Sequence, residues 1–263
     1  MILLIITNIK TILTFVLFLN CLIILLLKIK TILKHLIILL VSFLFVSSCS
    51  YPKISSDVLV YDNNFESEDL SEIDGGYISI FNNSKVLGDF NNDGFTLHLK
   101  DTGDHDYVFI SFDLYIHGSW DGNFNGFAEN DKPDKWIIEL DPEMDLIKDT
   151  SSDKFVTTFS NSVCFPNYCL RQSYPESYPF ENNPKTGNNS INLPKTCKNS
   201  FYGAQTTLYK IEKGFKHSGN AVVIRFYDEL YQPNAIDDFG VNQSKCDESW
   251  SMDNLKVRVI SYE

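Results

Sequence analysis

Two stretches of this chain space oxygen-bearing side chains as a calcium loop does. Asp121-Gly-Asn123-Phe-Asn125-Gly126 and Asp89-Phe-Asn91-Asn-Asp93-Gly94 match the first half of the pattern D-x-[DN]-x-[DN]-G. In such loops alternate oxygens curl around one Ca²⁺ ion and Gly permits the sharp turn. The first stretch continues through Glu129, Asp131 and Asp134, an acidic run that a cation would order. Neither has Glu at the twelfth position, where Lys132 and Lys100 stand instead. In the second, Asn92-Asp93-Gly94 also suits a plain hairpin turn. The calcium ligands expected here are therefore Asp121, Asn123, Asn125 and Asp134.

Paired carboxylates suggest other chemistry. Glu139-Leu-Asp141-Pro-Glu143 resembles the E-x-D-x-E string of lichenase-like glucanases. Strand alternation would set Glu139, Asp141 and Glu143 on one face, as retaining hydrolysis with carboxyls about 5–5.5 Å apart requires. Pro142 argues against it, because it would interrupt a strand that must line the cleft. A hydrolase built on these three residues is the alternative reading. Among the histidines after residue 48, none stands out as the partner of a Ser or Cys nucleophile, and no phosphate-cradling Gly loop is present. Rings form a third group. Trp120, Phe124, Phe127, Tyr168, Tyr174, Tyr178, Phe180 and Tyr231 fall in expected loops, where exposed rings could stack on sugar faces.

Six cysteines are present. Cys21 and Cys49 belong to the N-terminal region, which leaves Cys164, Cys169, Cys197 and Cys246. Their spacing fits no standard zinc pattern. Disulfides are expected, and of the three possible pairings the sequence selects none.

The elements that must position these groups are strands. From Tyr107 to His117, Val108, Ile110, Phe112, Leu114 and Ile116 alternate with Ser111, Asp113, Tyr115 and His117. That is period-2 alternation, one face in a core and one outside it. Phe95/Leu97/Leu99, Val222/Ile224/Phe226 and Leu255/Val257/Val259 repeat it. Shorter runs at 58–61, 77–81, 136–140, 155–159 and 207–211 bring the total to about nine or ten strands. Residues 57–263 are expected to be one all-β domain, an antiparallel sandwich of jelly-roll, lectin-like type.

Residues 1–48 contain four lysines and no acidic residue. Lys28, Lys30, Lys34 and His35 form a basic segment, and Leu36 to Val46 an apolar one of signal-peptide length. Val46-Ser47-Ser48-Cys49 resembles the lipobox of bacterial lipoproteins. That resemblance implies diacylation of the Cys49 thiol, cleavage before it and acylation of the new amine. Two or three chains give stable anchoring where one does not. Residues 1–27, with a second apolar run at 11–27, are read as an extension upstream of the true start, or else as a membrane helix. Residues 49–56 are the lipidated cysteine and its tether.

Removing the four N-terminal lysines leaves 18 basic against 34 acidic side chains, a net charge of −16 on residues 49–263. Such a surface repels phosphate backbones, which excludes nucleic acid, and it leaves membrane contact to the acyl chains. Ser50 is not the Asp associated with inner-membrane retention, so the expected location is the outer membrane or cell surface.

One more resemblance covers roughly Phe65 to Val259. Val86-Leu87-Gly88, Ser111-Phe-Asp-Leu-Tyr-Ile116, Ser119-Trp-Asp-Gly-Asn123, Asp134-x-Trp136, Thr157-Thr-Phe-Ser-Asn161 and Asp247-Glu-Ser-Trp-Ser-Met-Asp-Asn-Leu255 occur in this order. The series is similar to secreted bacterial β-sandwich modules of surface proteins. It implies a lectin-like sandwich of the kind used for binding, here of a glycan or a surface protein, with no established catalytic role to carry over. Jelly-roll binding modules also often hold a structural Ca²⁺ between an acidic residue near the first strand and an Asp before the last, here Glu66 and Asp253. The expected function is that of a lipid-anchored, non-enzymatic binding sandwich, stabilised by calcium. A structural envelope protein without ligand is the third reading.

Overall fold

The computed structural model describes residues 19–38 (except 21 and 24) and 52–263, without 125–131, 143–152, 163, 165–168, 198–204, 232–239 and 241–243. The chain divides into two compact units, Met1–Pro52 and Lys53–Glu263. In the first, the described residues form a helix, α1, with its described side chains exposed. Among the described residues no helix is long and apolar enough to cross a membrane.

The second unit is an antiparallel β-sandwich. Its larger sheet has seven strands: β1 (Ile54–Asn63), β3 (Ile78–Phe81), β4 (Ser84–Phe90), β6 (Tyr107–Gly118), β9 (Ser190–Leu193), β10 (Thr206–Lys216) and β12 (Glu248–Tyr262). The order is β3-β4-β12-β6-β10-β9, and β1 pairs with the far half of β12 on the edge that β4 occupies nearer its start. The smaller sheet has five: β2 (Ile73–Asp74), β5 (Gly94–Lys100), β7 (Lys135–Leu140), β8 (Lys154–Thr158) and β11 (Ala221–Glu229), in the order β2-β5-β11-β7-β8. A one-turn helix, α2 (Ser244–Asp247), leads into β12. β1 takes in Ile54–Ser56, so the expected tether is shorter than residues 49–56.

The alternation read along β6 decides the packing. Val108, Ile110, Phe112, Leu114 and Ile116 are buried, and they face Leu97, Trp136, Ile138, Ile224 and Phe226 of the smaller sheet within one core. Trp136 sits among four rings, with centroids 5.5 Å from Phe112, 5.7 Å from Trp250 and 6.2 Å from Phe159 and Phe226. Removing a buried ring of this kind costs about 3–5 kcal/mol.

Three sequence expectations need correction. Asn92-Asp93-Gly94 is not a hairpin turn: β4 and β5 lie in different sheets, and the turn carries the chain between them. Asn92 has φ 49°, and the Asp228 carboxylate takes the Asn92 and Asp93 N–H groups at 2.8 and 2.9 Å. The final strand begins at Glu248, well before Leu255. A bulge between Asp253 and Lys256, with Asn254 at φ 52°, lets both Met252 and Leu255 point into the core although their spacing is odd. Finally, Trp120 and Tyr174 are not exposed loop rings. Trp120 is fully buried and donates its indole N–H to Ser249 O at 3.0 Å, while Tyr174 packs 5.1 Å from both Phe159 and Tyr209. Rings this large contribute more as core than as solvent-facing platforms.

The cysteine pairing is resolved. Cys164 joins Cys169, and Cys197 joins Cys246, with Cα atoms 4.3 and 5.4 Å apart. The second bridge fastens the segment before β10 to α2.

Candidate functional site

β6, β8 and β11 all run toward the same end of the sandwich, and the connections that follow them gather there. Asp134, just before β7, is the hub. Its Oδ2 accepts the Asp121 N–H at 2.8 Å and its Oδ1 the Tyr231 N–H at 3.3 Å, while its own N–H donates to Gly122 O at 3.1 Å. Asn123 is a second hub. Its Oδ1 accepts the Thr158 and Ser173 hydroxyls, its Nδ2 donates to Phe180 O at 2.7 Å, and its N–H donates to Arg171 O at 2.7 Å. Gly122 makes this closeness possible. At φ 69°, any Cβ there would stand 2.1 Å from Arg171 O.

Burial drives the electrostatics of this end. It pushes the Asp134 carboxyl up to about 7, against the pull of two N–H donors and with Asp121 adding to the push. Burial also raises Asp121 to about 6, helped by Asp247, whose own carboxyl is raised by burial. Asp228 is lifted to about 6 in the same way. In each case burial favours the protonated carboxyl over the charged one.

Of the expected calcium ligands, Asp121 and Asp134 are hydrogen-bonded to each other, Asn123 is bonded instead to Thr158, Ser173, Phe180 and Arg171, and Asn125 lies outside the described residues. Both oxygens of Asp134 and the oxygen of Asn123 are already accepting protein donors. Among the described residues, no group of three or more His, Cys, Asp or Glu side chains is arranged to hold a metal. The other expected pair also comes together. Asp253 stands directly across from Asp113 on β6, and burial, then Asp113, then Glu66 push its carboxyl up to about 6. Glu66 Oε1 accepts the Ser84 hydroxyl at 2.6 Å and the Lys85 N–H at 3.2 Å. Asp113 is held by Lys210 Nζ at 3.3 Å and Asn254 Nδ2 at 3.1 Å. Its alternation on β6 was visible in the sequence, but its partner across the sheet was not.

The hydrolase string does not assemble. Glu139 is buried on β7 and ion-paired to Lys154 at 2.6 Å. Asp141 has left the strand at φ 45°, and its oxygens take the Val223 N–H at 3.1 Å and His217 Nε2 at 2.7 Å. Alternation therefore stops before the second carboxylate, and Glu143 lies outside the described residues.

Exposed rings do gather at the loop end. Phe124 and Tyr178 are half-exposed, Phe180 is 52% exposed and Tyr231 38%. All four stand on loops that Asn123 and Asp134 knit together, and Lys135 Nζ lies 5.8 Å from the Tyr178 ring centre. No protein-family model matches the chain, and no curated protein is similar to it in sequence.

Proposed function

We propose that this protein is an exported lipoprotein, acylated at Cys49, whose sandwich binds a glycan on the loop end bearing Phe124, Tyr178, Phe180 and Tyr231. Cys49 lies outside the described residues, so the anchor rests on the lipobox resemblance. The observation that carries the binding site is the set of exposed rings on loop ends tied by the hydrogen bonds of Asn123 and Asp134. Rings that need no ordering on binding stack on a sugar face at low entropic cost. Polar donors beside them, Lys135 and the Asn123 region, would fix the orientation. The second reading, a protein partner on the same surface, uses the same rings.

A glycan array probed with the full chain in detergent tests this reading. The expected result is binding to one class of polysaccharide. The double substitution Tyr178→Ala, Phe180→Ala should then weaken binding at least tenfold, or about 1.4 kcal/mol. Absence of any glycan signal, or equal binding by the double variant, would overturn it. Reducing-sugar release from β-glucans would instead favour a hydrolase.

A further inference from the structure

At the opposite end of the sandwich, Gly103, His105, His217 and Asp141 form one unbroken line of contacts. His105 Nδ1 meets Gly103 O, His105 Nε2 meets His217 Nδ1, and His217 Nε2 meets Asp141 Oδ2, each at 2.7 Å. Both imidazoles are buried. The line ties together three places far apart in sequence: the β5–β6 connection, the turn after β10 and the exit from β7. Neighbouring backbone bonds depend on the same closeness. Thr102 N–H donates to Asn220 O at 2.9 Å, His217 N–H to Asp106 O at 3.1 Å, and Val223 N–H to Asp141 Oδ1 at 3.1 Å.

Proton counting shows what this line requires. Each of its three hydrogen bonds needs one hydrogen. The Gly103 carbonyl brings none, a carboxylate brings none, and two neutral imidazoles bring one each. The line is therefore one proton short. We propose that it is a proton-operated clamp: closing it takes up one proton, and losing that proton parts Asp141 from His217 and loosens the three loops. The count is the same whether the extra proton sits on nitrogen or oxygen. Burial alone would raise the Asp141 carboxyl, but the His217 hydrogen bond and the Val223 N–H outweigh it. With the charges of His217 and His105 added, the carboxyl is held below its ordinary value.

Among the described residues, the other charged groups on the elements meeting here are Lys100, Asp101, Asp104, Asp106, Lys216 and Asp153. Asp106 is engaged by the Tyr262 N–H at 2.8 Å, and the charges acting on Asp141 are those of the two histidines. The line is not a catalytic relay. Gly103 closes one end and Asp141 the other, so no atom is left to meet a substrate.

Closure that binds one proton weakens tenfold per pH unit once the open form has released its own. The test is amide hydrogen exchange of the full chain in detergent between pH 5.5 and 8.5, read as protection factors so that base catalysis cancels. Protection at Thr102, His217 and Val223 should fall by up to tenfold per unit across the upper part of that range. Asp141→Asn places an amide N–H where Oδ2 stood, supplies the missing hydrogen to a neutral His217, and should flatten this dependence while keeping the loops protected. Equal pH dependence in both chains would overturn the proposal. Imidazole ¹⁵N spectra of the unaltered chain decide the matter even if the variant does not fold. A pair carrying three N–H protons below the transition is expected. Two neutral rings beside an ionised Asp141 carboxylate, read from its ¹³C shift, while the loops are still protected would sink the clamp.

Discussion

Asp134 does the work of several residues. Its two oxygens hold the backbone N–H groups of Asp121 and Tyr231, and its carboxyl is raised to about 7, chiefly by burial. Asp134→Ala would leave two donors without their acceptor at a site that water reaches poorly. Each such loss costs about 1–3 kcal/mol, so roughly 2–6 kcal/mol is expected in total. Melting should fall by roughly 5–15 °C, at about 2–4 °C per kcal/mol for a domain this size. The pH dependence has a definite sign. Asp134, Asp121 and Asp228 keep protons in the folded state that the unfolded chain, with carboxyls near 3.8, has released. Their stabilisation is complete below about pH 4 and lost as pH rises through 6 to 7. Carboxyls held low, such as Asp57, Glu66 and Asp69, stay ionised above pH 5 and do not offset this. Scanning calorimetry should show a higher melting temperature at pH 5 than at pH 8, and the reverse order would contradict the assignment. Asp134 was legible in the sequence as an oxygen donor. Its use as an internal tie was not, because the N–H groups it holds lie at positions 121 and 231.

β12 shows what an element can hide. Glu-Ser-Trp-Ser-Met-Asp reads as a mixed, half-polar segment, yet every residue of it is buried. Ser251 Oγ meets His117 Nε2 at 2.7 Å, and burial alone pushes that histidine down to about 3, so it stays neutral. Polar side chains inside a covered face escape a pattern search that equates polar with exposed. β6 was readable because its core face is unbroken and apolar. Across these two strands Asp253 faces Asp113, and like charges directly opposite destabilise a sheet by up to about 1 kcal/mol. Asp253→Asn should therefore raise the melting temperature by a few degrees at pH 8 in chelator and have little effect at pH 5. If Glu66 and Asp253 hold calcium, the same change should instead lower melting in millimolar Ca²⁺ relative to the unaltered chain. A variant less stable than its parent in chelator at pH 8 would mean that the carboxylate is needed for structure, not merely tolerated.

For the molecule as a whole, the entry point of the chain matters. β1 begins beside the end of β12, with Ile54 opposite Tyr262, while β6 and β8 carry the chain to the other end, where the rings stand. Twelve residues of β6 rise about 40 Å at 3.3 Å each. Cys49→Ala should release the protein from membranes or leave it as an unprocessed precursor. A Cys49→Ala chain that matures and still fractionates with membranes would rule out the lipid anchor.

Period-2 alternation and turn residues determined by themselves that residues after the N-terminal segment form an all-β sandwich, because strand faces follow from neighbouring side chains alone. The same local reading singled out Asn123 and Asp134, and the likeness to jelly-roll modules Glu66 and Asp253, as oxygen-bearing groups. Only the tertiary structure decided which of them meet, that Trp120 and Tyr174 are core, which cysteines pair, and that His105, His217 and Asp141 share a proton line. Apart from the Cys164–Cys169 bridge, those contacts join residues tens to more than a hundred positions apart. Their distances depend on how two sheets stack and where a bulge falls, and no short stretch of sequence carries that information.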